Sequence, residues 1–259
     1  MRIDAHTHSH VGSGRMKLED LVETVETAKK FKIDKLCVSN PFIDNPGEGF
    51  RGGFPNPEQF RQANENVVNA MKKYPKIIIG YCYVNPCYPK EGLDEFKRCV
   101  QEYGMKGLKL EVGCRCSNPQ VYPLIEKAIE FKVPILQHCW HKATGNYIGE
   151  SDPLDVAELA KRYKEATIQM AHTGGDWEYG IKAVRDCPNV FPDTSGGEPV
   201  IGMVEMAVKE LGAERVIFGS DAPGRSFSTQ LAKVLGADIR KEEKDLIMGG
   251  NIARILKLE

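Results

Sequence analysis

The feature that most constrains this chain is a regular alternation. Short runs rich in β-branched and other apolar residues recur at Arg2–Ala5, Lys35–Val38, Lys76–Val84, Gly107–Glu111, Pro134–His138, Thr167–Ala171, Val190–Asp193 and Arg215–Phe218. Longer amphipathic stretches separate them, which is the pattern of a parallel sheet whose strands are joined by crossover helices. The segment Lys17–Phe31 places Leu18, Leu21, Val22, Val25 and Ala28 at helical spacing. Pro57–Tyr74 opens with Asn56 as N-cap and Pro57 at the first helical position, and Asn118–Phe131 opens with Asn118-Pro119 in the same way. Leu154–Tyr163, Trp177–Asp186 and Pro199–Leu211 complete the regular set, and Lys241–Leu256 reads as helical with a break at Gly249-Gly250.

Strand and helix alternate with no low-complexity stretch, charge run or linker. That predicts an α/β fold of one closed (β/α)8 TIM barrel, a single domain over residues 1–259. An open doubly wound sheet is the competing arrangement. A dinucleotide site is not expected, because Gly12-Ser13-Gly14 follows a histidine cluster and no GxGxxG follows the first strand. Hydrophobic residues at 41% allow a sizeable core. A net charge of -1 provides no polybasic surplus, so neither nucleic acid nor a membrane is expected as a partner. The start MRIDAHTH lacks a signal-like apolar stretch, and the 8 cysteines include no CxxC pair. Both point to a cytoplasmic protein with reduced thiols. The stretch Asn40–Asn56, rich in Gly, Pro and Asn, is expected to be a lid or substrate loop over the open end of the barrel.

Polar residues gather at the C-terminal ends of the expected strands, the rim where such barrels do chemistry. Strand one ends in His6-Thr7-His8, strand five in Gln137-His138, strand six in Ala171-His172-Thr173-Gly174-Gly175 and strand eight in Gly219-Ser220-Asp221. Residues two apart on a strand share a face, so His6 and His8 point the same way. Three or four imidazoles and a carboxylate then face one space. That donor set suits Zn²⁺ or a similar divalent cation with one position open to water. Taken singly, each is ambiguous: a lone histidine is more often structural, and Asp221 alone could cap a helix.

The ordered set resembles the amidohydrolase superfamily, in its amidohydrolase 2 branch, which includes aminocarboxymuconate-semialdehyde decarboxylase. The likeness rests on Ile3-Asp4-Ala5-His6-Thr7-His8, Gly107-Leu108-Lys109-Leu110, Gln137-His138, Ala171-His172-Thr173-Gly174-Gly175, Phe218-Gly219-Ser220-Asp221-Ala222-Pro223 and Gly249-Gly250-Asn251-Ile252-Ala253-Arg254. The resemblance implies that His6, His8, His138 and Asp221 bind one metal. It implies that His172, with Asp221, handles protons. Zn is the expected ion, with Mn or Fe as alternatives, and a homodimer would be in keeping with relatives. A second metal, bridged by Glu111 or a modified Lys109, is the alternative to a single ion. His141, Arg51, Arg115, Arg225 and Ser195 are candidates for substrate contact, with an arginine clamping any substrate carboxylate. Trp140, Trp177 and Tyr147 could wall the pocket, and Asp193 could support a ligand histidine.

The function expected is hydrolysis of a C–N or C–O bond in a small molecule, such as an amide or lactone, by metal-activated water. Non-oxidative decarboxylation of a small carboxylic acid on the same scaffold is the alternative. A PHP-type phosphoesterase shares the Asp-x-His-x-His opening, with His10 flattering the comparison, and a non-catalytic metal-binding protein is the remaining reading.

Overall fold

Seven strands form one parallel sheet in sequence order: β1 (Ile3–His8), β2 (Lys35–Ser39), β3 (Ile78–Tyr83), β4 (Gly107–Leu110), β5 (Ile135–Gln137), β6 (Ile168–Met170) and β7 (Val190–Pro192). The computed structural model describes residues 1–9, 18–41 and 54–258. Arg51, His10, Gly12-Ser13-Gly14 and most of the Asn40–Asn56 loop lie outside the described residues. Each strand is followed by helical structure: α1 (Leu18–Lys30), α2 (Pro57–Lys73), α3 (Pro89–Gln101), α4 (Tyr122–Phe131), α5 (Pro153–Arg162), α6 (Trp177–Val184) and α7 (Met203–Leu211). Then come α8 (Phe227–Leu235), α9 (Lys241–Asp245) and α10 (Asn251–Leu256).

Two apolar layers follow from strand alternation. Leu36, Val38, Leu108 and Leu110 face outward into the large core shared with the helices. Ile3, Ala5, Cys37, Tyr81, Leu136 and Ile217 form a smaller interior cluster, joined by Ile252 and Leu256 of α10. The break at Gly249-Gly250 has a steric cause: a Cβ on Gly249 would run into the Met1 carbonyl. Several helix starts match their sequence signals. Asn56 Oδ1 accepts from Gln59 N at 3.0 Å while Asn56 N donates to Gln59 Oε1 at 2.9 Å, a reciprocal cap. Helices α3 and α8 stand out less in the sequence, since their apolar stripes are interrupted by Lys, Glu, Ser and Thr. Helix α7 begins at Met203, four residues later than the pattern suggests, after Gly202 in the left-handed region. No helix among the described residues is long and apolar enough to cross a membrane. All 8 cysteines are free thiols, and Cys87 alone among them is exposed.

The expected eighth strand at Arg215–Phe218 is not a regular strand. Ala213–Arg215 instead make a 3-10 turn, and pairing is reduced to single bridges at Ile217 and Ala222. Between those two bridges Asp221 takes a left-handed conformation, with φ of 62°, outside the extended region. The segment still bonds to both ends of the sheet. Ile217 N donates to Pro192 O at 3.0 Å, Ala5 N to Phe218 O at 3.0 Å, and His8 N to Ala222 O at 2.7 Å.

Strand β1 carries a second irregularity, a register shift between Asp4 and Thr7 against β2. Ile3 and Ala5 point into the interior cluster, so unbroken alternation would send Thr7 inward as well. The shift changes the phase, and His6 and His8 turn inward instead. Asp4 holds the bend, its Oδ1 accepting from His6 N at 3.1 Å and Ser220 N at 2.9 Å.

Candidate metal centre

His6 Nε2 lies 3.2 Å from His8 Nε2, and Asp221 Oδ1 lies 3.1 Å from His8 Nε2 and 3.9 Å from His6 Nε2. These atoms form one of two close groups of metal-type donors among the described residues; the other is His6, His172 and Asp193. Both histidines are held from behind. His6 Nδ1 is 2.9 Å from Asp193 Oδ2, and His8 Nδ1 is 3.1 Å from Ser39 Oγ. A carboxylate only accepts, so His6 carries its proton on Nδ1 and keeps the Nε2 lone pair for the site. A close pair of imidazole nitrogens beside a carboxylate oxygen is the donor set a divalent cation requires, and these residues fit one. Room for the His6 ring comes from Gly219, where a Cβ would sit 2.8 Å from His6 Cβ and 3.2 Å from Ser195 Cβ.

Asp193, fully buried after β7, is the hub beneath the centre. It accepts from His6 Nδ1, Gln169 Nε2 (2.8 Å), His172 N (2.9 Å), Ser195 N (3.1 Å) and Ser195 Oγ (2.5 Å). Burial alone would raise its pKa, but the neighbouring His6 and His172 and these hydrogen bonds outweigh it and hold the carboxyl well below its usual range. Asp221 behaves alike. Burial opposes ionisation, yet the hydrogen bond from His8 and the three neighbouring histidines keep it a carboxylate.

His172 and Asp221 both sit in the left-handed region, His172 with φ of 60°. Hydrogen bonds fix these conformations: His172 N and Thr173 Oγ1 bind Asp193, and Asp221 N donates to His6 O at 2.7 Å. Outliers of this kind cluster at functional sites. The His172 ring is 5.0 Å from that of His6 and 5.2 Å from that of His138 between centroids. Burial lowers its pKa to about 3, so the ring is neutral. Ser195 Oγ donates to Asp193 and lies 3.0 Å from His172 Nδ1, which makes it the acceptor for an Nδ1 proton there.

His138 lies beside this group but outside the closest cluster. Its Nε2 is 3.0 Å from Glu150 Oε1, and its Nδ1 is 3.6 Å from Glu111 Oε2. Lys109, fully buried, places Nζ 2.8 Å from Glu111 Oε1 and 3.5 Å from His6 Nε2. Burial works against Glu111 ionising, but Lys109, His138 and His8 prevail and lower its pKa to about 2.

The remaining candidates divide. Ser195 is at the centre, while His141 Nδ1 is 2.6 Å from Asp152 Oδ2 and its ring packs on Tyr179. Arg115 Nη1 pairs with Asp155 Oδ2 at 3.7 Å, and the exposed Arg225 bonds its neighbour's carbonyl, Gly224 O, at 3.4 Å. Trp140 packs at a tilt against His172, with ring centroids 5.0 Å apart. Glu150 and Lys233 carry no sequence signal. Glu150 is a loop residue twelve positions after His138, and Lys233 reaches from α8 to the carbonyls of Thr194 and Gly196.

The chain aligns with a 2,6-dihydroxybenzoate decarboxylase from Rhizobium at a TM-score of 0.78 and 15% identity, covering 99% of this chain and 98% of the other. A dihydroxybenzoic acid decarboxylase from Polaromonas, with bound manganese and 2-nitroresorcinol, aligns at 0.75 and 17%, covering 99% and 97%. A 4-oxalomesaconate hydratase from Rhodopseudomonas palustris aligns at 0.72 and 18%, covering 99% and 96%. At these identities the likeness is one of fold. The family model for amidohydrolases, however, matches residues 3–258, so the chain belongs to the amidohydrolase family of metal-dependent enzymes.

Proposed function

We propose that this protein is a metal-dependent hydrolase that cleaves a C–N or C–O bond of a small molecule, such as an amide or lactone. Its centre is formed by His6, His8, His138 and Asp221, with His172 beside it. The observation that carries this reading is the convergence of His6 Nε2, His8 Nε2 and Asp221 Oδ1 next to a neutral His172. A divalent cation held there lowers the pKa of water and polarises a carbonyl oxygen. His6 offers its Nε2 lone pair from a ring locked by Asp193, and His8, with Ser39 behind its ring, turns Nε2 to the same point. Asp221, kept ionised, can accept a proton from the attacking water. His172, with Nδ1 turned to Ser195, orients that water through Nε2 as a neutral acceptor.

One cation is favoured, because the Lys109 ammonium paired to Glu111 already supplies positive charge where a second ion would need a free anionic bridge. Zn²⁺ suits the His and Asp donors. Mn²⁺ is the alternative, supported by the manganese bound in the Polaromonas decarboxylase. We read the bonds of residues 217–222 to both ends of the sheet as support for a complete (β/α)8 barrel.

Decarboxylation is the second reading, favoured by the decarboxylases among the structural neighbours. The test is a panel of amides, lactones and aromatic acids offered to Zn- and Mn-loaded protein, read by product mass and CO2 release. Hydrolysis without CO2 supports the proposal, and CO2 release alone replaces it with decarboxylation. Unchanged metal content in the double variant His6→Ala/His8→Ala refutes the centre itself.

A further inference from the structure

Of the buried carboxylates around the centre, Glu150 is the one with no place in the chemistry above. It lies on the loop after β5 and is 1% exposed. One oxygen, Oε1, is 3.0 Å from His138 Nε2. The other, Oε2, accepts from Tyr147 N at 3.0 Å and from Lys142 Nζ. Lys142 in turn lies 4.0 Å over the Tyr147 ring. The loop is anchored on its far side as well, since a Cβ on Gly149 would collide with Val112 O, immediately after Glu111. Two donors on Oε2, one of them the Lys142 ammonium, mark Glu150 as a carboxylate.

We infer that Glu150 is the positioning residue of His138. An ionised carboxylate accepts and cannot donate, so the 3.0 Å contact requires a proton on His138 Nε2. The neutral ring then carries its lone pair on Nδ1. That atom stands 3.6 Å from Glu111 Oε2, beyond hydrogen-bond length and on the side of the Lys109–Glu111 pair. In that tautomer His138 presents its Nδ1 lone pair on the Glu111 side of the centre, whereas His6 presents Nε2. Because the same carboxylate holds Tyr147 N and Lys142, folding of the loop between residues 142 and 150 and orientation of His138 are one event. The inference rests on the proposed metal centre for its consequence, but the assignment of the tautomer does not.

The direct test is 15N-histidine NMR of the metal-free wild-type chain, recorded well above the ordinary histidine pKa of about 6.5. The expected result is an His138 ring with Nε2 protonated and Nδ1 bare. A proton on Nδ1, in the other tautomer or the doubly protonated ring, overturns the inference. Two variants extend it. In Glu150→Ala the Nε2–H preference should be lost and Zn²⁺ affinity, measured by competition with a chromophoric chelator, should fall about 10- to 100-fold. Glu150→Gln, whose amide oxygen still accepts, should restore the tautomer and most of the affinity. Equal affinity in wild type and Glu150→Ala, with Zn²⁺ bound by both, refutes the positioning role. Wild-type protein that binds no Zn²⁺ yet shows the Nε2–H tautomer refutes the proposed function while leaving the assignment standing.

Discussion

Replacing Asp193 with alanine removes the acceptor under the centre and exposes what it supports. His6 Nδ1, Gln169 Nε2, His172 N, Ser195 N and Ser195 Oγ all lose a partner within 3.1 Å, around a fully buried carboxylate. Breaking a buried, charge-assisted arrangement by deleting one side costs about 3–5 kcal/mol, less than the sum of its bonds because the donors share one group. At about 2–4 °C per kcal/mol for a chain of this size, Tm should fall by roughly 6–20 °C. The assay is thermal and urea unfolding of the metal-free protein followed by circular dichroism, so that metal loss is not confounded with instability. Asp193→Asn sharpens it. One amide oxygen still accepts from His172 N or Ser195, but the amide nitrogen now faces His6 Nδ1, a donor. His6 must then move its proton to Nε2 or lose the contact, and Zn²⁺ affinity should fall about 10- to 100-fold. The sign with pH is fixed as well. A carboxyl whose folded pKa is depressed contributes stability above its unfolded pKa of about 3.9 and loses it as pH falls through the folded value. The gap between wild type and Asp193→Asn should be full at pH 7 and narrow in acid. An alanine variant within about 0.5 kcal/mol of wild type would show that Asp193 is not the hub.

Gly219→Ala places a methyl 2.8 Å from His6 Cβ and should lower metal occupancy, measured by elemental analysis, with a stability loss of about 1–3 kcal/mol. Lys233, whose pKa burial lowers to about 8, should make unfolding free energy rise between about pH 8 and 10.5. In that window the unfolded chain binds the extra proton. The rise is on the order of 3 kcal/mol at most and should be missing in Lys233→Met. Removing a bound ion with a chelator should lower Tm, by the equivalent of about 2.7 kcal/mol from a state holding free metal at 100 times its Kd. Mutating Arg115, already paired with Asp155, should leave kcat/KM within about threefold, whereas Arg225→Ala should raise KM if the substrate carries a carboxylate.

Much was legible in the sequence for a physical reason. Alternating strand and helix periods are local properties, so β1 to β7 fall where Val, Ile and Leu runs place them, and Asn56-Pro57 starts α2 through bonds made within four residues. His6, His8, His138, His172 and Asp221 could be placed on one rim because parallel strands bring their C-terminal ends together. What the sequence could not decide depends on contacts between distant segments. The inward turn of His6 and His8 needs the β1 register shift, which Asp4 holds through Ser220, 216 residues away. The eighth segment bonds to both ends of the sheet without forming a regular strand, and within it Asp221 leaves the extended region to face His8. The tautomers are tertiary too: Asp193 sets that of His6 from just after β7, and Glu150 sets that of His138 from a loop with no motif. The sequence by itself determined which donors are available and on which rim they lie. Only the tertiary structure decided which nitrogen His6 and His138 offer, because a proton's position on an imidazole depends on the acceptor that folding places behind it.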